Sequence, residues 1–180
     1  MTHLTVPVTS IDHILGPPNA PVTLVEYGDF ECPNCAAAFP IIRGLIDSLG
    51  SRLRFVFRHF PIVISHDHAQ KAAEASEAAG AQGKFWEMHD VLFRHQDELD
   101  RESLVSYAQE LDLDVERFRR ELLGDVYNDR VYRDMDSGQE SGVSWTPTFF
   151  LNGERYPLAR DFDGLVRLVR ERVDRPAGRR

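Results

Sequence analysis

The sequence predicts an α/β fold: a central mixed β-sheet flanked by helices and interrupted by an inserted all-helical subdomain. Three observations lead there. Runs of apolar and β-branched residues at 22–27, 53–57 and 148–151 read as strands. Helical periodicity separates the first two runs, which calls for a right-handed βαβ crossover and a parallel pair. From His66 to about Gly138 the helical spacing continues and no strand pattern appears. The expected division is therefore a sheet domain in two halves, residues 1–62 and 139–180, around a helical insert at 63–138.

Taken in order, residues 2–8 have a short β-prone pattern, and Pro7 suits an edge strand better than a central one. The stretch Gly16-Pro17-Pro18-Asn19-Ala20-Pro21 is a turn or loop by composition. Residues 22–27 then read as a buried central strand with one exception, Glu26. An acid there is either edge-facing or functional, because an unpaired buried charge is costly. Phe39, Ile42, Leu45, Ile46 and Leu49 repeat at helical spacing, with Pro40 expected to kink the helix and Gly50 to close it.

Five helical stripes fill the insert. The first is a ridge of small residues, Ala69, Ala72, Ala73, Ser76 and Ala79. The others are marked by Phe85, Met88, Leu92 and Phe93; by Leu104, Ala108 and Leu111; by Val115, Phe118 and Leu122; and by Tyr127, Val131 and Met135. Asp112 or Asp114 is placed to cap the fourth. After the strand at 148–151, Asn152-Gly153 signals a hairpin to a partner strand at 154–158. Phe162, Leu165, Val166, Val169 and Val173 stripe a last helix, with Asp161 as its cap, and residues 175–180 read as a frayed tail.

Composition narrows the function classes. The 180 residues suit one domain or one domain with an insertion, and 42% apolar residues suffice for a core. With 29 acidic and 21 basic residues the net charge is -8, which argues against a nucleic-acid surface. No apolar run approaches the ~20 residues of a membrane span. The N-terminus lacks a basic start followed by an apolar stretch, so a cytoplasmic location is expected, with a mature exported form as the alternative. A monomer is expected.

The chemistry centres on Phe30-Glu31-Cys32-Pro33-Asn34-Cys35, which holds both cysteines at a strand-to-helix junction. Two thiols at this spacing can close a small ring as a disulfide and reopen when a thiolate attacks. Unpaired backbone N–H groups and the helix dipole favour a thiolate at Cys32, and Pro33 fits the first helical position. Cys32 is thus the expected nucleophile and Cys35 the resolving thiol. Cys32 is expected to be exposed, and Cys35 shielded under the Phe39 and Ile42 face. Cys-x-x-Cys is also half a zinc site, and His66 and His68 could complete it. A structural disulfide would close too short a loop to restrain the unfolded chain much. His59 reads as a polar strand edge, His66 and His68 as a polar helix start, and His89 and His95 as an exposed helical stretch; none is expected to be catalytic. Trp86, His89 and Phe93 share one helical face and either line a substrate groove or belong to the core.

These features together resemble the DsbA-like branch of the thiol:disulfide oxidoreductases, a thioredoxin-like fold with inserted helices. The resemblance covers roughly residues 12–173. Cys32-Pro33-Asn34-Cys35 is similar to the Cys-Pro-His-Cys of DsbA, Glu26 stands where such proteins place a buried acid, and Thr146-Pro147 stands where they carry a cis-proline facing the disulfide. The segment Gly83-Lys84-Phe85-Trp86-Glu87-Met88-His89-Asp90 looks like soluble bacterial DsbA-like domains. The resemblance implies disulfide exchange with protein or peptide thiols, no cofactor, and a further redox partner. It also implies Glu26 as proton acceptor for Cys35, and Pro33, Asn34, Thr146 and Pro147 around the substrate. Two departures bear on the direction of electron flow. Asn34 replaces the motif histidine, and Asp29 and Glu31 crowd the nucleophile with charge that disfavours a thiolate. Both lean towards a reductant. A redox-sensing or metal-binding module and a glutathione-linked enzyme are the competing expectations.

Overall fold

The computed structural model describes residues 2–157 and 161–174. The strands are β1 (His13–Leu15), β2 (Val22–Gly28), β3 (Leu53–His59), β4 (Thr148–Leu151) and β5 (Glu154–Arg155), ordered β1-β3-β2-β4-β5 in one sheet. β2 and β3 run parallel, with Glu26 opposite Phe57 and Gly28 opposite His59. The other pairs are antiparallel, so the sheet is mixed as expected. The helices are α1 (Pro33–Leu49), α2 (Ala69–Gly80), α3 (Phe85–Arg94), α4 (Arg101–Glu110), α5 (Val115–Leu123), α6 (Asn128–Glu140) and α7 (Phe162–Asp174). Five of them lie between β3 and β4, which is the helical insertion.

Strand alternation sorts the core. Val22, Leu24, Phe55 and Phe57 join α1, α3 and α7 in the larger apolar cluster on one face. Val25, Tyr27, Val56, Phe60 and Phe150 form the smaller cluster on the other face. That second face also holds a buried ion pair. Arg58 Nε donates to Asp12 Oδ1 at 2.7 Å, and its Nη1 donates to the Tyr27 hydroxyl at 2.9 Å. α6 covers this face closely at Gly138, where a Cβ would stand 2.7 Å from the Phe60 ring.

Several expectations are corrected. Residues 2–8 form no strand; His3 makes one isolated bridge to Glu154. The edge strand is β1, whose three residues are too few to show an alternating pattern. β5 is two residues long, and Leu158 lies outside the described residues, as does the expected tail. α1 runs through Pro40 and, as expected, ends at Gly50, its C-cap. Asp114 caps α5, accepting from Arg117 N at 2.9 Å, whereas Asp112 takes φ 55° in the turn before it. Asp161 accepts from Gly164 N at 2.8 Å, as its position before α7 suggested.

Candidate active site

The site forms where β2 ends and α1 begins. Both cysteines are free thiols, Cys32 at the helix N-cap and Cys35 inside the first turn, with Pro33 opening the helix. Cys32 is 5% exposed and Cys35 0%, so the expected inequality holds in rank but Cys32 is not an open residue. The Thr146–Pro147 segment covers it. That peptide bond is cis, and in its protonated form the Cys32 thiol donates to the Thr146 carbonyl at 3.4 Å. From the insert, the Gln96 side-chain amide donates to the carbonyls of Phe30 (2.6 Å) and Cys32 (3.0 Å). Pro33 is exposed and Asn34 half-buried, while Thr146 and Pro147 are buried.

The two thiols differ in proton affinity. A hydrogen bond from Cys35 is the largest influence on Cys32. It outweighs burial, and with help from Thr146 and the N–H groups of Cys35 and Asn34 it brings Cys32 down to about 5 from 9.0. Burial pushes Cys35 well above the usual thiol range, and the neighbouring Cys32 and Glu26 charges add to it. Glu26 lies on the α1 face of β2, and among the described residues it makes no ion pair; Arg43, which lines the cavity beside it, pairs with Asp90. Burial first, then the Cys32 charge, raises Glu26 from 4.5 to about 8. A narrow cavity reaches Glu26 between Phe39, Ile42, Phe55, Trp86 and His89. Gly28 keeps this corner tight: a Cβ there would sit 2.4 Å from the Phe57 ring and 3.3 Å from Glu26 Oε1.

The acids beside the nucleophile do not act as their sequence position suggested. The Asp29 carboxylate is turned inward, accepting from Glu31 N (2.8 Å), Ile62 N (2.8 Å) and His66 Nδ1 (2.7 Å). Glu31 accepts from His68 N at 2.7 Å. Their charge is thus absorbed by backbone N–H groups and an imidazole rather than left facing the sulfur.

The histidines differ most from the sequence reading. His59 and His89 are buried, not edge or surface residues. His89 and Phe93 pack among Phe30, Phe39 and Phe57, so that face of α3 is core. Trp86 packs on Phe55 and Phe85. His95 is exposed, as expected. His13 and His59 both donate from Nε2 to Glu77 Oε1, at 2.7 and 2.8 Å. Among the described residues this is the group whose donor atoms, within 4.8 Å of one another, match a metal's ligand set; it includes neither cysteine. It fits a metal poorly. The donors already satisfy one another, Arg130 Nε lies 3.6 Å from the same oxygen, and the buried His59 Nδ1 has no acceptor of the kind a metal-bound imidazole uses. Gln96 and the Glu77 hub carry no motif that marks them in the sequence, and His66, considered there as a zinc ligand with His68, pairs with Asp29 instead.

A family model described as thioredoxin matches residues 9–171. The chain belongs to the thioredoxin family. Among solved structures, this thioredoxin-family chain is similar to BdbD from Bacillus subtilis, with a TM-score of 0.77 and 26% identity over 90% of this chain and 92% of that one. It is also similar to a thioredoxin-like oxidoreductase from Silicibacter pomeroyi DSS-3, with a TM-score of 0.80 and 27% identity over 94% and 95%. Alpha-DsbA1 from Wolbachia pipientis, at 21% identity and a TM-score of 0.76 over 94% of both chains, shares the fold. The DsbA-like architecture read from the sequence is borne out. The curated relatives are named differently. Na(+)/H(+) antiporter NhaA 1 of Salinispora arenicola is 49% identical over 158 residues, 88% of this chain and 24% of the relative. NhaA 3 of Salinispora tropica is 52% identical over 145 residues, 81% and 22%. The chain thus spans about a quarter of the length of these relatives. Among the described residues no helix is long and apolar enough to cross a membrane.

Proposed function

We propose that this chain is a thiol:disulfide oxidoreductase acting on protein or peptide substrates. The observation that carries the reading is the unequal pair of thiols, one brought down to about 5 and its neighbour held well above 9.0. The likeness to the thioredoxin-like oxidoreductase of Silicibacter pomeroyi supports it.

In this reading the Cys32 thiolate attacks a substrate disulfide, forming a mixed disulfide and expelling one substrate thiolate. Cys35 then gives its proton to the Glu26 carboxylate and attacks the Cys32 sulfur. The Cys32–Cys35 bond forms, the second substrate thiolate leaves, and two electrons have passed to the substrate. The reverse sequence oxidises a substrate dithiol. Pro147 lacks an N–H and leaves the backbone at Thr146 open to an extended substrate strand, with Pro33 and Asn34 on the opposite rim. The exposed side chains of Val63, Ile64 and Trp145, on the loops beside the site, favour a polypeptide over a small thiol.

The low Cys32 pKa stabilises the reduced form, which makes a stronger oxidant. It favours the exported alternative, in an oxidising compartment, over cytoplasmic reduction. The division at 63–138, with the insert walling the substrate groove, belongs to the same proposal. The test is trapping. Cys35→Ser should accumulate mixed disulfides with polypeptides, and Cys32→Ser should form none. Capture of glutathione alone would favour the glutathione-linked alternative. Absence of any mixed disulfide in Cys35→Ser would overturn the exchange reading.

A further inference from the structure

We propose that His66, on the loop between β3 and α2, is the positively charged positioning residue of the cysteine pair, supplying from outside the motif the cation that Asn34 cannot. The inference rests on the exchange reading above and names what tunes that site.

The geometry is a clamp between two loops. The Asp29 side chain is fully buried, and its Oδ2 receives both Ile62 N and His66 Nδ1. Its Oδ1 receives Glu31 N, and the Asp29 carbonyl receives Cys32 N at 3.2 Å. Glu31 closes the other end on His68 N. The imidazole is therefore bolted to the turn that carries the nucleophile, while its side chain keeps 18% exposure and can exchange protons with water. The charged groups acting on His66 from that turn are Asp29, Glu31 and Cys32. On its own loop, Asp67 and His68 are exposed.

Without a proton on His66, two carboxylates would stand beside a thiolate with no side-chain cation among them. With it, the cluster loses one unit of negative charge where that charge is least tolerated. His66 is accordingly held above its ordinary 6.5. Burial pulls it down, but the Asp29 hydrogen bond and the charges of Asp29, Cys32 and Glu31 outweigh that. Forming the Cys32–Cys35 bond removes the thiolate, so His66 loses part of its reason to hold the proton. Oxidation then releases the Cys35 proton and a fraction of the His66 proton, alongside the two electrons passed to the substrate disulfide.

Such coupling is reciprocal: His66 acts on Cys32 as strongly as Cys32 acts on His66. The experiment follows the His66 imidazole by NMR against pH in the dithiol and disulfide forms of the full chain. In parallel, the pH profile of Cys32 alkylation by iodoacetamide is measured for wild type, His66→Gln and His66→Lys. The His66 midpoint should fall on oxidation. His66→Gln should raise the Cys32 midpoint by about one pH unit, a tenfold weaker thiolate stabilisation and so a reduction potential about 30 mV lower. His66→Lys should restore the wild-type profile. Equal His66 midpoints in the two redox states, an unmoved profile in His66→Gln, or a lysine variant that behaves like glutamine would each overturn the proposal. Failure of Cys35→Ser to trap substrate is a separate result and strikes the exchange reading instead.

Discussion

Glu26→Gln tests a costly choice in the fold, a buried acid on a central strand that makes no ion pair among the described residues. The carboxyl is raised from 4.5 to about 8, chiefly by burial and then by the Cys32 charge. The sign follows from proton linkage. Below pH 4.5 folded and unfolded chains both hold the proton, and no penalty exists. As pH rises the unfolded chain ionises first, so stability drains away until the folded carboxyl also ionises near 8. At 1.36 kcal/mol per pH unit, the loss in the reduced protein is roughly 5 kcal/mol over the whole interval and roughly 4 kcal/mol between pH 5 and 8. Glutamine has the same shape and no charge, so its stability should not carry this slope. Cys32 titrates with the opposite sign, since a thiol brought down to about 5 from 9.0 adds stability as pH rises through that range. Taking the difference between wild type and variant under identical reducing conditions removes that contribution. Urea unfolding of both proteins at pH 5, 6, 7 and 8 gives the difference directly. A constant offset reports only how the amide packs; the growing gap reports the buried charge. A gap that changes by less than about 1 kcal/mol over those pH values would show that Glu26 is not raised, and would remove it as proton acceptor for Cys35.

Two further outcomes follow from buried polar contacts. Asp12→Ala strips the buried Arg58 guanidinium of its carboxylate, and denaturant unfolding should show a loss of about 3–5 kcal/mol; a loss below 1 kcal/mol would mean the carbonyls of Val6 and Pro7 suffice. Gln96→Ala frees the Phe30 and Cys32 carbonyls and should cost about 1–2 kcal/mol on the same measurement; an unchanged midpoint would show that the turn before α1 holds without help from the insert.

The parts of the fold that were legible in the sequence are those where one face or both faces are apolar over several residues. β2, β3 and α1 announced themselves, because burial on a strand or helix of that length leaves a long periodic trace. β1 left none, since three residues are held in the sheet by pairing with β3 rather than by their own pattern. The cysteine pair was legible through motif and spacing, whereas the burial of Glu26 and the cis Thr146–Pro147 bond were legible only through the family resemblance. What was hidden is pairwise. Asp29 looked like a repulsive neighbour until the fold supplied Ile62 N and His66 to receive it. His59 looked like an edge residue because its partners, Glu77 and Asp134, lie 18 and 75 residues further along the chain.

The sulfur of Cys32 and the carbonyl that covers it are 114 residues apart in sequence. A ribosome adding about 5–20 residues per second needs roughly 6–23 s to travel that distance. During that interval α1, β3 and the five insert helices are added in turn, while β4 and the Thr146 segment do not yet exist. The Cys32 thiol is therefore made well before the carbonyl that covers it. A thiol exposed in this way can pair with whatever thiol or disulfide is nearby. The long return to the sheet makes synthesis itself the period when this redox centre is least selective.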